Sequence, residues 1–147
     1  MLEIKTKTFK ELTKLDLYDL LQLRSEVFVV EQDCVYQDID GKDQKAIHIL
    51  GYNDEVLVAY TRIFKPGDYF DEASIGRVVV AKNKRHFKYG NTIMEASIKA
   101  VKTYFNENKI KISAQSYLIK FYTSIGFNSV GEEYLEDNIP HIAMIRN

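Results

Sequence analysis

The feature that most constrains the fold is a junction where an apolar strand leads through a polar loop into a long helix. Residues 73–80 form a β-branched run that is too apolar to leave one face in water. The polar residues 82–85 follow it, and apolar residues then recur at helical spacing. The apolar face of this predicted helix is formed by Ile93, Met94, Ser97, Ala100, Val101 and Tyr104. A buried strand joined to a helix in this way is typical of layered α/β domains.

The remaining segments complete a single domain of residues 1–147, a length that suits one hydrophobic core. Alternating residues predict a strand over 2–9, apolar spacing predicts a helix between residues 12 and 30, and the polar stretch 33–45 predicts a surface loop. Further strands are predicted over 46–52, 56–64, 109–114, 128–130 and 139–145, a further helix over 117–125, and a tight turn at Asn53-Asp54. This order predicts a mixed α/β sheet in which consecutive antiparallel strands precede crossover helices.

Charge and composition exclude several classes of protein. Twenty basic residues against 21 acidic ones give a formal net charge of −1, whereas nucleic-acid-binding domains usually carry a basic surplus. The single cysteine, Cys34, excludes an internal disulfide and a metal site of several thiolates. His48, His86 and His141 stand apart without a metal-ligand spacing, so we expect no metal. No apolar run suits a membrane span or a signal peptide, and we therefore expect a cytoplasmic protein without a membrane partner.

The junction between strand and helix is also a candidate anion site. The start of a helix presents free main-chain N–H groups and the positive end of the helix dipole, which together bind phosphate. Here the start of the helix is accompanied by a nearby glycine, Gly90, and by the basic side chains of Arg85 and Lys88. Many α/β proteins contain such a junction, so on its own it does not identify a ligand.

Two segments together resemble the GNAT superfamily of N-acetyltransferases. Residues 85–90 resemble the pattern Q/R-x-x-G-x-G/A, with which that family cradles the pyrophosphate of coenzyme A. Residues 121–127, Phe-Tyr-Thr-Ser-Ile-Gly-Phe, resemble the family's FYxxxGF segment. Gln115 lies where many members carry an asparagine that contacts the cofactor. The spacing between the two segments fits one helix, one strand and the start of another helix.

More of the chain is similar to the ElaA-like branch of this superfamily. Residues 23–34 resemble the branch signature LRxxVFVVEQxC. Further similar segments are residues 40–43, His48, residues 75–80, Ala114-Gln115 and residues 139–141. The resemblance extends from Phe9 to Met144. It implies a GNAT-type acyl-CoA N-acyltransferase fold, with a central, mostly antiparallel sheet of about six to seven strands flanked by helices.

The resemblance also implies the reaction and the residues that bind its donor. A neutral amine of a small molecule or peptide would attack the thioester of acetyl-CoA directly, and dimers are common for such folds. Main-chain N–H groups of Val78, Val79 and Val80 would bind the acetyl and pantetheine groups. The implied set that binds the pyrophosphate and adjoining parts comprises Arg85, His86, Phe87, Lys88, Tyr89, Gly90, Asn91 and Gln115. A coenzyme A-binding module without turnover is the alternative function.

Within this resemblance Tyr122 is the candidate general acid, because a phenol is protonated at neutral pH and can donate to a departing thiolate. The alternative is that Tyr122 is an ordinary packed tyrosine. Many relatives place a glutamate base on the strand before the phosphate loop, where this chain has Ser74. The remaining candidate bases are His141, which could equally be structural, and Glu31, which could instead bind a cationic amine.

Lys88 departs from the family pattern, in which its position holds a glycine. We expect the φ angle of a helix start to suit lysine, and Lys88 either to add its ammonium group to a phosphate or to weaken cofactor binding. Arg77 can be interpreted equally as an ion-pair partner or as a site residue. Cys34 is interpreted as a core residue and not as a nucleophile. The acidic loop residues Asp33, Asp38, Asp40 and Asp43 favour a cationic acceptor.

Overall fold

A computed structural model describes all of residues 1–147, and its strands form one seven-stranded sheet. The strands are β1 (Glu3–Thr8), β2 (Ile47–Asn53), β3 (Val56–Phe64), β4 (Ala73–Val80), β5 (Ile110–Gln115), β6 (Asn128–Glu136) and β7 (Ile139–Arg146). They lie in the order β1-β2-β3-β4-β5-β7-β6, and only β4 and β5 are parallel neighbours. The sheet therefore has the number of strands and the mostly antiparallel pairing that the sequence predicts.

Three α-helices cover the two faces of the sheet. They are α1 (Lys14–Arg24), α2 (Tyr89–Phe105) and α3 (Ile119–Ser124). Alternate residues of β2 face opposite sides: Leu50 packs in a core beneath α1, whereas Ile49 packs in a larger core beneath α2. Ile93 and Val101 of α2 are fully buried in that larger core, as their helical spacing predicts. No helix is both long and apolar enough to cross a bilayer.

The long first helix predicted between residues 12 and 30 is divided in the structure. Thr13 caps α1, since its hydroxyl accepts from the Asp16 N–H at 3.0 Å and the Asp16 carboxylate accepts from the Thr13 N–H at 3.0 Å. After Arg24 the chain continues as a wider π-helical segment, Ser25–Glu31. Such segments are rare and occur frequently at functional sites. An apolar stripe alone does not reveal this change of helix type.

Two hairpins are closed by pairs of residues with positive φ, as two-residue turns of the favoured type require. Asp54 and Glu55 join β2 to β3, one residue later than the sequence predicts. Asp137 and Asn138 join β6 to β7. β6 extends to Glu136, well beyond the predicted end at residue 130. Nearly all of this outer strand is exposed to solvent, and its pairing with β7 is interrupted after Val130.

A buried group of charged side chains fastens the loop of residues 33–45 to the body of the protein. The Arg24 guanidinium, which is fully buried, contacts carboxylate oxygens of Asp38 and Asp43, each at 2.8 Å. Arg62 contacts Asp43 at 2.9 Å and Asp40 at 2.5 Å. Burial alone would raise the pKa of Asp43, but hydrogen bonds and charge from the two arginines outweigh it and lower this pKa.

The histidine of β2 belongs to the same group. His48 is fully buried and lies 2.6 Å from the Tyr60 hydroxyl and 2.9 Å from the Asp43 carbonyl oxygen. Burial lowers the pKa of His48, so that its ring is neutral at physiological pH. The part of the ElaA-like resemblance that includes residues 40–43 and His48 therefore corresponds to a packed structural element.

We expect Arg24→Met to lower the free energy of unfolding by about 3–5 kcal/mol, because it takes from each of the buried carboxylates Asp38 and Asp43 one of its two arginine partners. Urea denaturation followed by far-ultraviolet circular dichroism measures the change. Lys102→Met, at an exposed position on α2, is the control and should change stability by no more than about 0.5 kcal/mol. An Arg24→Met protein as stable as the control variant would contradict a structural role for this ion-pair group.

Candidate active site

β4 and β5 separate soon after they pair, and a cavity opens between them. The two strands are paired only at Ala73 with Ile110 and Ser74 with Lys111. Beyond Ser74 the edge of β4 that faces β5 has no strand partner, so its main-chain N–H and C=O groups are open to a ligand. The cavity has a volume of about 490 Å³. The predicted donors Val78, Val79 and Val80 all line it.

A bulge in β4 shapes the middle of this cavity. Tyr60 pairs with Val79 but Arg62 pairs with Gly76, so two residues of β4 stand opposite Thr61 alone. One of them, Arg77, has a φ of 50°. Its guanidinium is held by Asp38, at 2.8 Å from the carboxylate and 2.9 Å from the carbonyl oxygen. Arg77 is therefore an ion-pair partner that also lines the cavity.

The start of α2 forms one end of the cavity. No side chain caps this helix, so the N–H groups of its first turn have neither an intrahelical partner nor a side-chain partner from the capping position. Arg85 and Lys88 line the cavity here, together with Gly90 and Asn91. Lys88 adds its charge to the positive end of the helix dipole, whereas the charge of Arg85 is balanced by Glu31, and this part of the cavity favours an anion.

The backbone at Lys88 differs from the sequence-based expectation. Its φ of 60° and ψ of 28° lie in the left-handed region, and not in the ordinary conformation of a helix start. The reason is local: residues Lys82–Phe87 form a 3-10 helix, and the chain changes direction at Lys88 to enter α2. This conformation suits glycine and costs other residues about 1–2 kcal/mol. The lysine at the family's glycine position is therefore held in a strained backbone.

Gly90 lies at a close approach between α2 and α3. A Cβ atom added there would lie 3.4 Å from Cζ of Phe121. That distance is an ordinary van der Waals contact, so alanine, which the family pattern also allows, would fit at this position.

Three other residues of the predicted cofactor set do not line the cavity. Tyr89 is buried in the core, and Phe87 stacks on it with ring centroids 5.4 Å apart. The ring of His86 lies 3.9 Å from that of Phe87, centroid to centroid. These three side chains therefore pack against one another and not into the cavity.

Glu31, a predicted candidate base, is bound to Arg85. Its two carboxylate oxygens contact the two terminal nitrogens of Arg85 at 2.5 and 2.7 Å, and Arg85 Nε donates to the Val80 carbonyl oxygen at 3.1 Å. The hydrogen bonds from Arg85 hold the pKa of Glu31 below its usual value. Glu31 does not line the cavity. Its ionised carboxylate connects the π-helical segment to the Lys82–Phe87 segment.

Tyr122, the predicted acid, lies on α3 and lines the cavity with its side chain only 5% exposed. Burial raises its pKa, and nearby Tyr117 raises it further. The hydroxyl is therefore protonated at neutral pH. Its ring also packs edge-on against Phe127, with centroids 6.0 Å apart, so Tyr122 is both a core residue and a cavity residue.

The part of the cavity formed by the β6–β7 hairpin contains His141 and Glu136. His141 Nδ1 lies 2.7 Å from the Ile139 carbonyl oxygen, to which it donates. In the neutral ring Nε2 is consequently the atom with the lone pair. It lies 3.4 Å from a carboxylate oxygen of Glu136, whose other oxygen accepts from the Ser113 hydroxyl at 3.2 Å. The arrangement places a proton acceptor beside a carboxylate.

Gln115, a predicted cofactor contact, lines the cavity, but its amide is engaged. Its oxygen and nitrogen form reciprocal hydrogen bonds with the amide of Gln32, at 3.0 and 3.2 Å. This pair joins the end of β5 to the residue that follows the π-helical segment. A ligand that contacts Gln115 therefore meets an amide already fixed in orientation.

Sequence interpretation missed Glu136 and Ser113. The signal that could have found Glu136 is the turn at Asp137 and Asn138. A two-residue hairpin there pairs Tyr134 with His141, which places Glu136 on the same face of the sheet as His141. Ser113 is on β5, two residues before Gln115, which pairs with His141 of β7.

The interpretation of the acidic loop is wrong for three of its four residues. Asp38, Asp40 and Asp43 are neutralised by buried arginines and are not available to a cationic acceptor. Only Asp33 is exposed.

Two other residues considered in the sequence analysis, Ser74 and Cys34, are both buried. Ser74 is buried and its hydroxyl has no partner. Cys34 is buried, lines the cavity, and donates through Sγ to the Asp137 carbonyl oxygen at 3.4 Å. No group of three or more potential ligands is placed to hold a metal ion.

Comparison with known proteins gives matches over nearly the whole chain. The sequence model of the acetyltransferase (GNAT) domain matches residues 10–147. The ElaA protein of Escherichia coli is 44% identical over 148 residues, which span 99% of this chain and 97% of that protein. A Synechocystis protein is 42% identical over 93% of this chain and 90% of its own length.

Solved structures agree. The crystal structure of Escherichia coli ElaA matches with a TM-score of 0.93 and 43% identity, covering both chains completely. An acyl-CoA N-acyltransferase from Pseudomonas aeruginosa matches with a TM-score of 0.91 and 40% identity over 99% of both chains. The fold and the sequence therefore lead to one assignment: this chain belongs to the GNAT acetyltransferase family and is ElaA-like.

Proposed function

We propose that this protein is an N-acetyltransferase that transfers the acetyl group of acetyl-CoA to a primary amine. The observation that carries the proposal is a single cavity that joins the uncapped start of α2 to the open edge of β4 and to Tyr122. The similarity to a Pseudomonas aeruginosa protein described as an acyl-CoA N-acyltransferase supports an acyl-CoA donor.

The residues present fit coenzyme A. A diphosphate suits the start of α2, where free N–H groups and the side chain of Lys88 supply positive charge. The pantetheine arm carries amides, and the open edge of β4 at Val78–Val80 offers main-chain donors and acceptors to match them. Both features belong to one cavity, so one extended ligand can use them together.

When bound, the thioester would supply the acyl group, and the protein's own groups would then have three roles. Main-chain N–H groups of β4 polarise the thioester carbonyl. Tyr122, whose raised pKa keeps it protonated, donates a proton to the departing sulfur. His141 Nε2 accepts a proton from the amine. We favour His141 over Glu31 as the base because Glu31 is paired with Arg85 outside the cavity.

Two measurements test the function. Titration calorimetry should show that coenzyme A binds, and a thiol-release assay with acetyl-CoA and a panel of amines should show turnover. Binding without thiol release for any amine would favour the alternative of a non-catalytic module. The absence of binding would contradict both proposals.

We expect Tyr122→Phe to lower kcat by about 10²–10⁴-fold, since it removes the proton donor for the sulfur. The dissociation constant of coenzyme A should change by less than about threefold, because the ring is retained. Tyr104→Phe, at a half-exposed tyrosine of α2, is the control. If turnover by Tyr122→Phe equals that of the control, Tyr122 is a packing residue only.

Lys88→Gly separates backbone strain from charge. We expect it to raise the free energy of unfolding by about 1 kcal/mol, because glycine adopts the left-handed conformation at lower cost. If the ammonium group contacts a phosphate, the same change should weaken acetyl-CoA binding by about tenfold. Lys88→Met is the matched variant, with weaker binding but no gain in stability. Tighter binding by Lys88→Gly would contradict a phosphate role for the lysine.

A further inference from the structure

Two parts of the cavity lining differ in charge. At the start of α2 the basic residues are Arg85, which Glu31 neutralises, and Lys88, which has no carboxylate partner. The other basic residue of the lining, Arg77, is held by the Asp38 carboxylate at 2.8 Å. In the part formed by the β6–β7 hairpin, the Glu136 carboxylate has no arginine or lysine partner. The cavity therefore offers a cation-binding group in addition to the anion-binding start of α2.

The immediate surroundings of Glu136 show which kind of cation it suits. His141 Nδ1 donates to the Ile139 carbonyl oxygen, so the Nε2 lone pair of the neutral ring faces the Glu136 carboxylate at 3.4 Å. Two acceptors this close repel each other unless a hydrogen-bond donor serves both. A proton on Nε2 can do so, and so can an ammonium group, which has three donors. His141 is buried, whereas Glu136 is about 44% exposed on its side chain and can be reached from solvent.

The cavity also leaves room for the rest of such a ligand. A second hollow adjoins it beside the β6–β7 turn, and the two share lining residues. The shared residues are Gln32, Cys34, Asp137 and Ile139. A molecule whose ammonium group contacts Glu136 can therefore extend outwards through this hollow.

We propose that Glu136 is the residue that binds the acceptor, holding the ammonium group of an aliphatic primary amine against His141 Nε2. This inference rests on the proposed acetyl transfer and adds to it the chemical class of the acceptor. Aliphatic amines are cationic at neutral pH, and a carboxylate selects them over uncharged arylamines.

The proton balance follows from this placement. The ammonium group gives one proton to His141 Nε2, which later releases it to solvent. The neutral nitrogen forms a bond to the acetyl carbonyl carbon, and the bond from that carbon to sulfur breaks. Tyr122 gives its proton to the sulfur and is reprotonated by the second proton that leaves the nitrogen. The products are an amide, a thiol and one proton.

Steady-state kinetics of Glu136→Gln test the inference. The acceptors are butylamine, glucosamine and a peptide with one free lysine as cationic amines, and aniline as an uncharged one. For the best cationic amine we expect KM to rise about 10–100-fold, because a hydrogen bond between charged groups is lost. The KM for acetyl-CoA should stay within about twofold of the wild-type value. The kcat/KM for aniline should change by less than about threefold. The ranking of the three cationic amines distinguishes small-molecule from peptide acceptors.

Two further variants keep the result interpretable. Glu136→Asp retains the carboxylate and should recover part of the affinity for the cationic amine. Glu133→Gln removes an exposed carboxylate of the same strand that does not line the cavity, and should leave every constant unchanged. Calorimetry with acetyl-CoA shows that each variant is folded.

The outcomes separate the two proposals. If the wild-type protein releases thiol with a cationic amine but Glu136→Gln keeps the same KM, the role of Glu136 is overturned and acetyl transfer stands. An equal loss for aniline and the cationic amines would also overturn it, because charge would then not be what Glu136 recognises. Wild-type protein that releases no thiol with any of these amines overturns acetyl transfer and, with it, this inference.

Discussion

The separation of β4 from β5 is the constraint on which the rest of the structure depends. Parallel strands hold each other through a continuous ladder, but here only two residue pairs form before the strands diverge. The divergence leaves one edge of β4 without partners in the middle of a sheet, where such an edge would otherwise be paired or covered. It also creates the space into which the start of α2, Tyr122 on α3 and the β6–β7 hairpin all face. The divergence of the two strands thus creates the cavity, and the side chains that line it adjust its shape and charge.

A second constraint is the group of buried charges that holds the 33–45 loop beside this opening. Buried ion pairs contribute little net stability, since the cost of removing charge from water offsets most of the attraction between the partners. What they supply is a defined position. Arg24 of α1 and Arg62 of β3 both bind the Asp43 carboxylate. Arg77, in the bulge of β4, binds Asp38 of the same loop. The loop is therefore held in one place relative to the open strand edge, which a loop of similar length with apolar contacts alone would not ensure.

The parts of the structure that the sequence could predict are those encoded by local pattern. The periodic face of α2 and the apolar run of β4 identify the strand–loop–helix junction, and the resemblance then locates the cavity. Features set by contacts between distant residues could not be predicted. The pairing of Glu31 with Arg85 joins residues 54 positions apart, and only the fold shows that this removes Glu31 from the cavity. The left-handed conformation of Lys88 follows from the direction in which the chain must leave a 3-10 helix, which residue type does not indicate. The position of Glu136 beside His141 can be inferred only when the register of the last hairpin is known.

The exposed outer strand β6 has a consequence for how copies of this protein behave at high concentration. A long, regular strand at the border of a sheet can act as a template on which another molecule adds its own strand. In β6 the ladder is broken after Val130, Gly131 adopts a φ of 77°, and Glu132 and Glu133 follow at the break. The irregular backbone offers no continuous row of acceptors and donors, and the paired negative charges repel an identical neighbour. The border of the sheet thus resists edge-to-edge polymerisation, a property that sequence changes at these three positions would weaken even if the fold and the cavity stayed intact.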